Sequence, residues 1–380
     1  MDSNHLNQTL ISIYKELHQN PELSYEEYQT TKRLRELLVK ADIEILDFPL
    51  KTGLVACIRG KSDSPVVALR CDIDALPIEE ETDATYESKN SGKMHACGHD
   101  FNMASILGAT LLLKEKQKEL NGTIKILFQP AEESSNGAEK VLETNVLSDV
   151  KAIFGIHANP DLKVGEIGIV EGAPTAAVDR FEIEVTGVGS HAAHPEEGVD
   201  PIVVTAQIVT AFQTIISRNI DPFDTAVISI TSLHSGSTWN VIPTSANMVG
   251  TVRTLNAKTR EYIPNRMKSM AEQIAAAFGA IIKFSWFSGP SATNNRKEWV
   301  EFSKDVAKTN DLKVNPYKPT LIGEDFAYYQ EKIAGTFIWV GTDASYPLHN
   351  PKFLVNTDAI FSSSKYFASL AENALIKLTK

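Results

Sequence analysis

The sequence predicts an α/β protein built on a mostly parallel sheet, with a ferredoxin-like α+β domain inserted into it. Three observations carry that expectation. Short, unbroken apolar runs at 66–69, 124–128 and 152–156 alternate with helical segments, as strands buried on both faces of a parallel sheet do. From Asp179 the texture changes, and FEIEV at 181–185 alternates apolar and acidic residues, which suits an antiparallel strand with one wet face. The elements after that point read β-α-β-β-α-β, the split βαβ order. The first texture returns near residue 290. The expected division is 1–178 with 289–380 as one domain, and 179–288 as the other.

Each element has its own signal. Residues 5–19 and 24–40 carry apolar side chains at helical spacing, first Leu6, Leu10, Ile13 and Leu17, then Leu34, Leu37 and Leu38. Pro21 separates the two, and Ser24 followed by Glu27 reads as a capping box. Strand-like runs follow at 43–46, 54–58 and 66–69. A long helix is expected over about 100–119, with ASILGATLLL at its centre. The runs at 124–128 and 152–156 flank a helix at about 137–146. The inserted domain should hold a helix near 200–217, strands at 225–233 and 247–254, a helix near 259–278 and a strand at 281–286. A helix near 297–309, a strand at 337–340 and a helix near 357–378 complete the chain.

Composition narrows the function classes. At roughly 100–200 residues per domain, 380 residues with 43% hydrophobic and 22% charged make two or three domains. Lys and Arg total 37 against 48 Asp and Glu, a formal charge of -11. That balance argues against partners such as nucleic acid or an anionic membrane surface, which select basic faces. Three cysteines, Cys57, Cys71 and Cys97, make no disulfide framework. The polar N-terminus does not read as a signal peptide, and no apolar run approaches the ~20 residues of a membrane span. A cytoplasmic protein is expected.

The chemistry gathers at strand ends. VVALR runs into Cys71, Asp72 and Asp74; TIKILF runs into Gln129, Glu132 and Glu133; AIFGI runs into His157; and His349 follows TFIWVGT after a short loop. A fifth cluster, His95-Ala96-Cys97-Gly98-His99-Asp100, precedes the long helix. A parallel sheet brings such points to one edge. Thiolate, imidazole and carboxylate together form a transition-metal ligand set. Cys97 and His99 would diverge on a helix, but Gly98 lets the backbone bend so that both reach one centre. Of the adjacent Glu132 and Glu133, one can bind metal while the other serves as general base to a metal-activated water.

Ordinary readings exist for each residue alone. A buried cysteine is usually inert, which is the reading for Cys57 and Cys71. A lone His157 would be a core residue, and paired glutamates a surface pair. Their arrival together at one sheet edge favours the metal site. His5 and His18 read as surface or packing residues, His234 as structural, and His95 as capping or orienting its loop. Residues 187–192 formally match the dinucleotide pattern G-x-G-x-x-A, but no helical pattern follows. A metal-free Cys97 is expected to be an exposed thiolate beside cationic groups that oxidises readily.

The motifs Arg70-Cys71-Asp72-Ile73-Asp74-Ala75-Leu76-Pro77, Met94-His95-Ala96-Cys97-Gly98-His99-Asp100, Gln129-Pro130-Ala131-Glu132-Glu133 and Gly323-Glu324-Asp325-Phe326 resemble the M20 metallopeptidase family. The likeness is greatest to its amidohydrolase branch, which includes hippurate hydrolases, N-acetyl-diaminopimelate deacetylases and auxin-conjugate hydrolases. It runs over essentially the whole chain. It implies that Cys97, His99, Glu133, His157 and His349 hold two divalent metals per subunit, with Cys97 bridging. Zinc, manganese, cobalt and nickel all suit such ligands. Glu132 would be the general base and Asp74 would orient the site.

The wider family begins its H-x-D-x-V-P motif with histidine, whereas Asp72 stands there in this chain; the resemblance assigns Asp72 no role. Asn102 stands where many relatives have histidine, and is expected to tune the pocket. The inserted domain resembles the family's lid and dimerisation domain, which implies a homodimer. There His191 would stabilise the oxyanion in a neighbouring subunit's site, while Asn240 and Arg253, with Gly323 nearby, would bind the substrate's free carboxylate.

The expected activity is hydrolysis of an N-acyl group, such as acetyl or benzoyl, from an amino acid or its conjugate. A dipeptidase or aminopeptidase of the same family, or a non-catalytic ligand-binding relative, are the alternatives.

Overall fold

The computed structural model describes residues 3–379. It begins with α1 (Ser3–His18), α2 (Tyr28–Lys40), β1 (Glu44–Ile45), β2 (Leu54–Arg59), β3 (Val66–Asp72), α3 (His99–Glu115), β4 (Thr123–Gln129), α4 (Gly137–Glu143), β5 (Val150–Asn159) and β6 (Glu166–Gly168). There follow β7 (Ala177–Thr186), β8 (Ser190–His191), α5 (Pro201–Asn219), β9 (Ala226–Ser235), β10 (Val241–Ile242), β11 (Ser245–Thr254), α6 (Ala257–Ala277) and β12 (Ile281–Ser288). The chain then forms α7 (Lys297–Thr309), β13 (Lys313–Asn315), α8 (Ala327–Gln330), β14 (Ala334–Gly341) and α9 (Ala359–Thr379). The long elements match the periodicities in the sequence. Those the sequence did not predict, β6, β8, β10, β13 and α8, are too short to show a period.

The chain packs as two compact units. One comprises the chain through Pro174, Thr293–Lys318 and the residues from Asp325 onward; the other comprises Thr175–Ala292 and Pro319–Glu324. The short segment Pro319–Glu324 thus belongs with the inserted unit, where the Ala176 N–H donates to the Ile322 carbonyl at 2.9 Å.

The first unit holds an eight-stranded sheet in the order β1-β2-β4-β3-β5-β14-β6-β13. Its centre, β4-β3-β5-β14, is parallel, whereas β2 against β4 and β6 against β14 are antiparallel. β3 and β4 are buried along their whole length. Along β3, Val67, Leu69 and Cys71 join a core with Leu10, Phe101 and Phe367, while Val66 and Ala68 join a second core with Val141 and Tyr329. This two-sided burial is why the strands read as nearly continuous apolar runs, interrupted in β4 by Lys125, whose ammonium donates to Asp149 at 2.5 Å. α3 is buried nearly all round, which a helix without a polar face requires. From β3 the chain passes through α3 to β4 on one side, then through α4 to β5 on the other. Such a reversal opens a crevice at the carboxyl ends of the strands.

The second unit is an antiparallel sheet, β12-β7-β11-β9, packed with α5 and α6. On β7, Phe181, Ile183 and Val185 are buried with Ile208, Phe212 and Met267, while Arg180 and Glu184 are exposed. Asp200 caps α5 by accepting from the Ile202 N–H at 2.8 Å, with Pro201 in the first turn. β8 and β10 form a separate small ribbon. No helix follows Gly187–Ala192 directly, so the dinucleotide pattern there is a coincidence of spelling.

One local expectation fails and another is narrowed. Ser24 and Glu27 do not cap α2, which begins at Tyr28; Glu22 accepts from the Gln29 and Thr30 N–H groups instead, at 3.1 and 2.8 Å. Of the two readings of His18, surface or packing, the structure bears out packing. The residue is buried, with Nδ1 at 2.6 Å from Asp100 and Nε2 at 3.0 Å from Glu80. Burial opposes its charge, but these two carboxylates raise its pKa to about 9.

Candidate metal centre

Three strand ends and two loops assemble the centre. β3 ends at Asp72 and is followed by Asp74; β4 ends at Gln129 and is followed by Glu132 and Glu133; His157 lies near the end of β5. Cys97 precedes α3, and His99 opens it. Gly98 between them is left-handed, at φ +79, and a Cβ there would lie 2.7 Å from the Ala158 Cβ. Only glycine combines that conformation with that approach. His349, also left-handed at φ 64, is tied to the cysteine loop by its N–H, which donates to the Ala96 carbonyl at 2.8 Å.

Two three-donor groups share one sulfur. Cys97, His99 and His157 form the first, and Cys97, Glu133 and His349 the second, with donor atoms within 4.8 Å of one another in each. Cys97 Sγ lies 3.5 Å from His157 Nε2 and 3.3 Å from His349 Nε2. Glu133 Oε1 lies 3.5 Å from His349 Nε2 and 4.0 Å from His99 Nε2. Glu132 joins His99 and Glu133 in a further group. The structure thus brings together all five residues expected to hold metal.

The histidine tautomers are set by the backbone. His99 Nδ1 faces the Asp74 carbonyl at 2.9 Å, and His157 Nδ1 faces the Ala158 carbonyl at 2.8 Å. A carbonyl only accepts, so each Nδ1 carries the proton and each Nε2 lone pair faces the cluster.

Charge also points to a cation. Burial pushes the Cys97 thiol well above its ordinary value, and Glu133, Glu132 and Asp72 push it further. Burial opposes a charge on His99, but Asp72, Asp74 and Glu133 raise it to about 10. Burial lowers His157 to about 4. The cluster draws positive charge into its centre, and divalent ions would supply it without protonating the donors. His99 Nε2 and Glu133 Oε1 are buried and have no hydrogen-bond partner, a costly condition that a metal relieves. The donor set therefore fits a binuclear site. The sequence expectation of an exposed, cation-flanked Cys97 is corrected: the residue is 7% exposed, and the charged groups that bear on its thiol are the carboxylates of Glu133, Glu132 and Asp72.

Behind the donors lies a polar frame. Asp74 accepts from the Glu132 N–H at 3.1 Å through Oδ1, and from the Glu133 N–H at 3.0 Å through Oδ2. Asp72 accepts from Arg70 at 2.9 Å and from Asn102 at 2.8 Å, with Oδ2 at 3.7 Å from His99 Nε2. Arg70 is fully buried and also donates to Asp325 at 2.8 Å and to Gln129 at 2.7 Å. The Asp325 N–H faces Glu132 Oε1 at 3.4 Å. The sequence reading missed Arg70, although an arginine inside the apolar run VVALR was a signal: such a charge stays buried only when paired.

The remaining candidates lie in the second unit. His191, on β8, is exposed and pairs in register with Val241, and its Nδ1 accepts from the Ala193 N–H at 3.0 Å. The Asn240 carbonyl accepts from the Ala192 N–H at 3.1 Å, which sets Asn240 beside that strand. Arg253, on β11, is half-buried, and burial lowers its pKa. A Cβ on Gly323 would lie 3.5 Å from Arg253 Nη1. His234 is exposed on β9.

Comparison with known proteins agrees with this architecture. Residues 68–373 match the model for peptidase family M20/M25/M40. The N-acetylcysteine deacetylase of Bacillus subtilis is 47% identical over 363 residues, covering 95% of this chain and 96% of that protein. Thermostable carboxypeptidase 1 of Saccharolobus solfataricus is 37% identical, covering 95% of this chain and 94% of that one. A crystal structure of the Bacillus subtilis YXEP protein, described as a dinuclear metal binding peptidase from the M20 family, superposes with a TM-score of 0.90 at 44% identity, covering 99% of both chains.

Proposed function

The chain belongs to peptidase family M20/M25/M40, in its amidohydrolase branch, and from that membership and the donor cluster we propose a binuclear metal-dependent hydrolase that removes an N-acyl group from an amino acid or its conjugate. The observation that carries the reading is the sharing of Cys97 Sγ by two three-donor groups, together with two buried donor atoms that lack a hydrogen-bond partner.

Cys97, His99, Glu133, His157 and His349 would hold the two ions. Such ions polarise an amide carbonyl and make water acidic enough to attack at neutral pH. Glu132 takes the proton of the attacking water and delivers it to the leaving nitrogen as the C–N bond breaks. Asp74 orients both glutamates through their backbone N–H groups. His191 donates to the oxyanion of the tetrahedral intermediate. Arg253 and Asn240 bind the free carboxylate of the substrate, the guanidinium fork matching it in shape and charge, and Gly323, where a Cβ would lie 2.4 Å from Val178 Cγ2, lets its segment pass close beside Arg253.

The second unit acts as lid and dimerisation domain of a cytoplasmic homodimer. Its exposed Trp239, Val241 and Leu233 support that assignment. Among the described residues no helix is long and apolar enough to cross a membrane.

A peptidase reading is favoured by the names of similar proteins, the carboxypeptidase of Saccharolobus solfataricus and the YXEP structure described as a peptidase. One assay separates the two. The chain is loaded in turn with Mn²⁺, Zn²⁺, Co²⁺ and Ni²⁺ and offered acetyl-, benzoyl- and longer acyl-amino acids beside free dipeptides. Release of the carboxylic acid from the N-acyl substrates is expected; cleavage of dipeptides alone would overturn the amidohydrolase reading.

A further inference from the structure

The two residues that resemble a capping box send their side chains elsewhere. Ser24 Oγ donates to Asp74 Oδ2 at 2.6 Å, and Glu27 Oε1 accepts from the Ala131 N–H at 2.8 Å. Tyr25 between them donates its hydroxyl to Asn136 Oδ1. All three contacts serve the turn that carries Glu132 and Glu133, directly or through Asp74.

That turn is in an unfavourable conformation. Ala131 and Ser135 are both left-handed, at φ 56 and 60, which costs a non-glycine residue about 1 kcal/mol or more. Surrounding structure must hold it. Three successive peptide N–H groups, of Ala131, Glu132 and Glu133, are taken by two buried carboxylates, Glu27 and Asp74. The preceding Pro130 is pressed against Gly53, where a Cβ would lie 2.6 Å from the proline Cδ, and the Gly53 N–H donates to Thr31 Oγ1 of α2 at 2.8 Å. Asp74 reaches the peptides of the two glutamates. Glu27 alone of the two carboxylates reaches the left-handed residue that launches Glu132.

We propose that Glu27 is a positioning residue for the general base, holding the Ala131 peptide so that the Glu132 carboxylate keeps its direction. The inference rests on the reading of Glu132 as base. Glu27 is fully buried and its hydrogen bond runs to the Ala131 peptide rather than to an ion donor, so its effect should fall on turnover and spare metal and substrate binding. A misplacement of the order of an ångström is enough to cost about 100-fold in rate.

The test compares Glu27→Ala, Glu27→Asp and Glu27→Gln in the full chain. Glutamine keeps an acceptor oxygen at the same reach; alanine removes it and aspartate withdraws it by one methylene. Alanine and aspartate should lower kcat about 10- to 100-fold, with KM and metal content at parent values, and the Ala131 amide should lose hydrogen-exchange protection. Glutamine should restore kcat to within about threefold and restore protection. If alanine fails to fold, the aspartate and glutamine pair carries the comparison. Parent turnover in the aspartate variant, or equal losses in aspartate and glutamine, would overturn the inference. Glu132→Ala is assayed beside them. Should it stay active, the base assignment has failed; should it be inactive while Glu27→Asp turns over normally, the positioning inference alone has failed.

Discussion

The two units handle polar side chains in opposite ways. In the first, the candidate donors are mostly sunk into the sheet edge: His99 is 0% exposed, His157 3% and Cys97 7%. Each histidine has its tautomer fixed by a carbonyl, and a fully buried arginine holds the frame behind them. In the second, His191 is exposed on the small β8-β10 ribbon and Asn240 beside it is partly so, while Arg253 is partly exposed on an antiparallel sheet whose strands alternate between core and solvent. A group that holds an ion gains from being rigid and dry. A group that must meet a substrate has to stay accessible. In the proposed function, ion binding and proton transfer fall to the first unit and substrate recognition to the second, and substitutions in each should separate these duties.

The largest effect is expected at Glu132. Glu132→Ala should keep its metal and lose about 10²- to 10⁴-fold in kcat, the range of general-base catalysis; metal analysis with steady-state kinetics checks both halves. Next comes His191→Ala, with about 10²- to 10³-fold lost from kcat, as for an oxyanion donor, and metal content untouched. Loss of metal in that variant would break the division of duties. Arg253→Ala should raise KM roughly tenfold or more, the size of a charged hydrogen bond to a carboxylate. Lysine there should rescue only in part, since it lacks the planar fork.

The smallest effect on activity belongs to His18, whose role is stability. Its pKa rises from 6.5 to about 9 on folding, because Asp100 and Glu80 outweigh the opposing effect of burial. Its contribution is therefore fully present below about pH 6.5 and fades as pH rises through about 9, by on the order of 3 kcal/mol in all. Denaturant unfolding of the parent and His18→Gln between pH 6 and 10 should show the parent's advantage shrinking with pH. An advantage that grows with pH would contradict the paired imidazolium.

Apolar periodicity signalled the strand ends and the helix entry at which Cys97, His99, Glu132, Glu133 and His157 cluster, since a parallel sheet gathers such points at one edge, whereas the choice of five ion donors among the clustered residues came from the family resemblance. The change of texture near Asp179 reflects strands buried on both faces giving way to strands that alternate between core and solvent, while the return of Pro319–Glu324 to the second unit left no mark in the pattern. Less visible were residues whose partners lie far away in sequence. Ser24 and Glu27 carry the spelling of a helix cap, and nothing local shows that their side chains reach Asp74 and Ala131, 50 and 104 residues away. His18 sits on the apolar face of α1, and its carboxylate partners are 62 and 82 residues distant. Arg70 could have been found, since a charge within a buried strand demands a partner. Asp72 acquires its setting only through Arg70 and Asn102.

The central claim is that Cys97 joins two ion sites into one hydrolytic centre. It is tested most directly by counting bound ions and measuring acetate release from an N-acetyl amino acid, in the parent and in Cys97→Ser. Two ions per chain are expected in the parent, with turnover abolished by a chelator and restored by Mn²⁺ or Zn²⁺, and loss of both ions and turnover in the variant. Full turnover in chelated protein, or a variant that keeps two ions and parent activity, would contradict it.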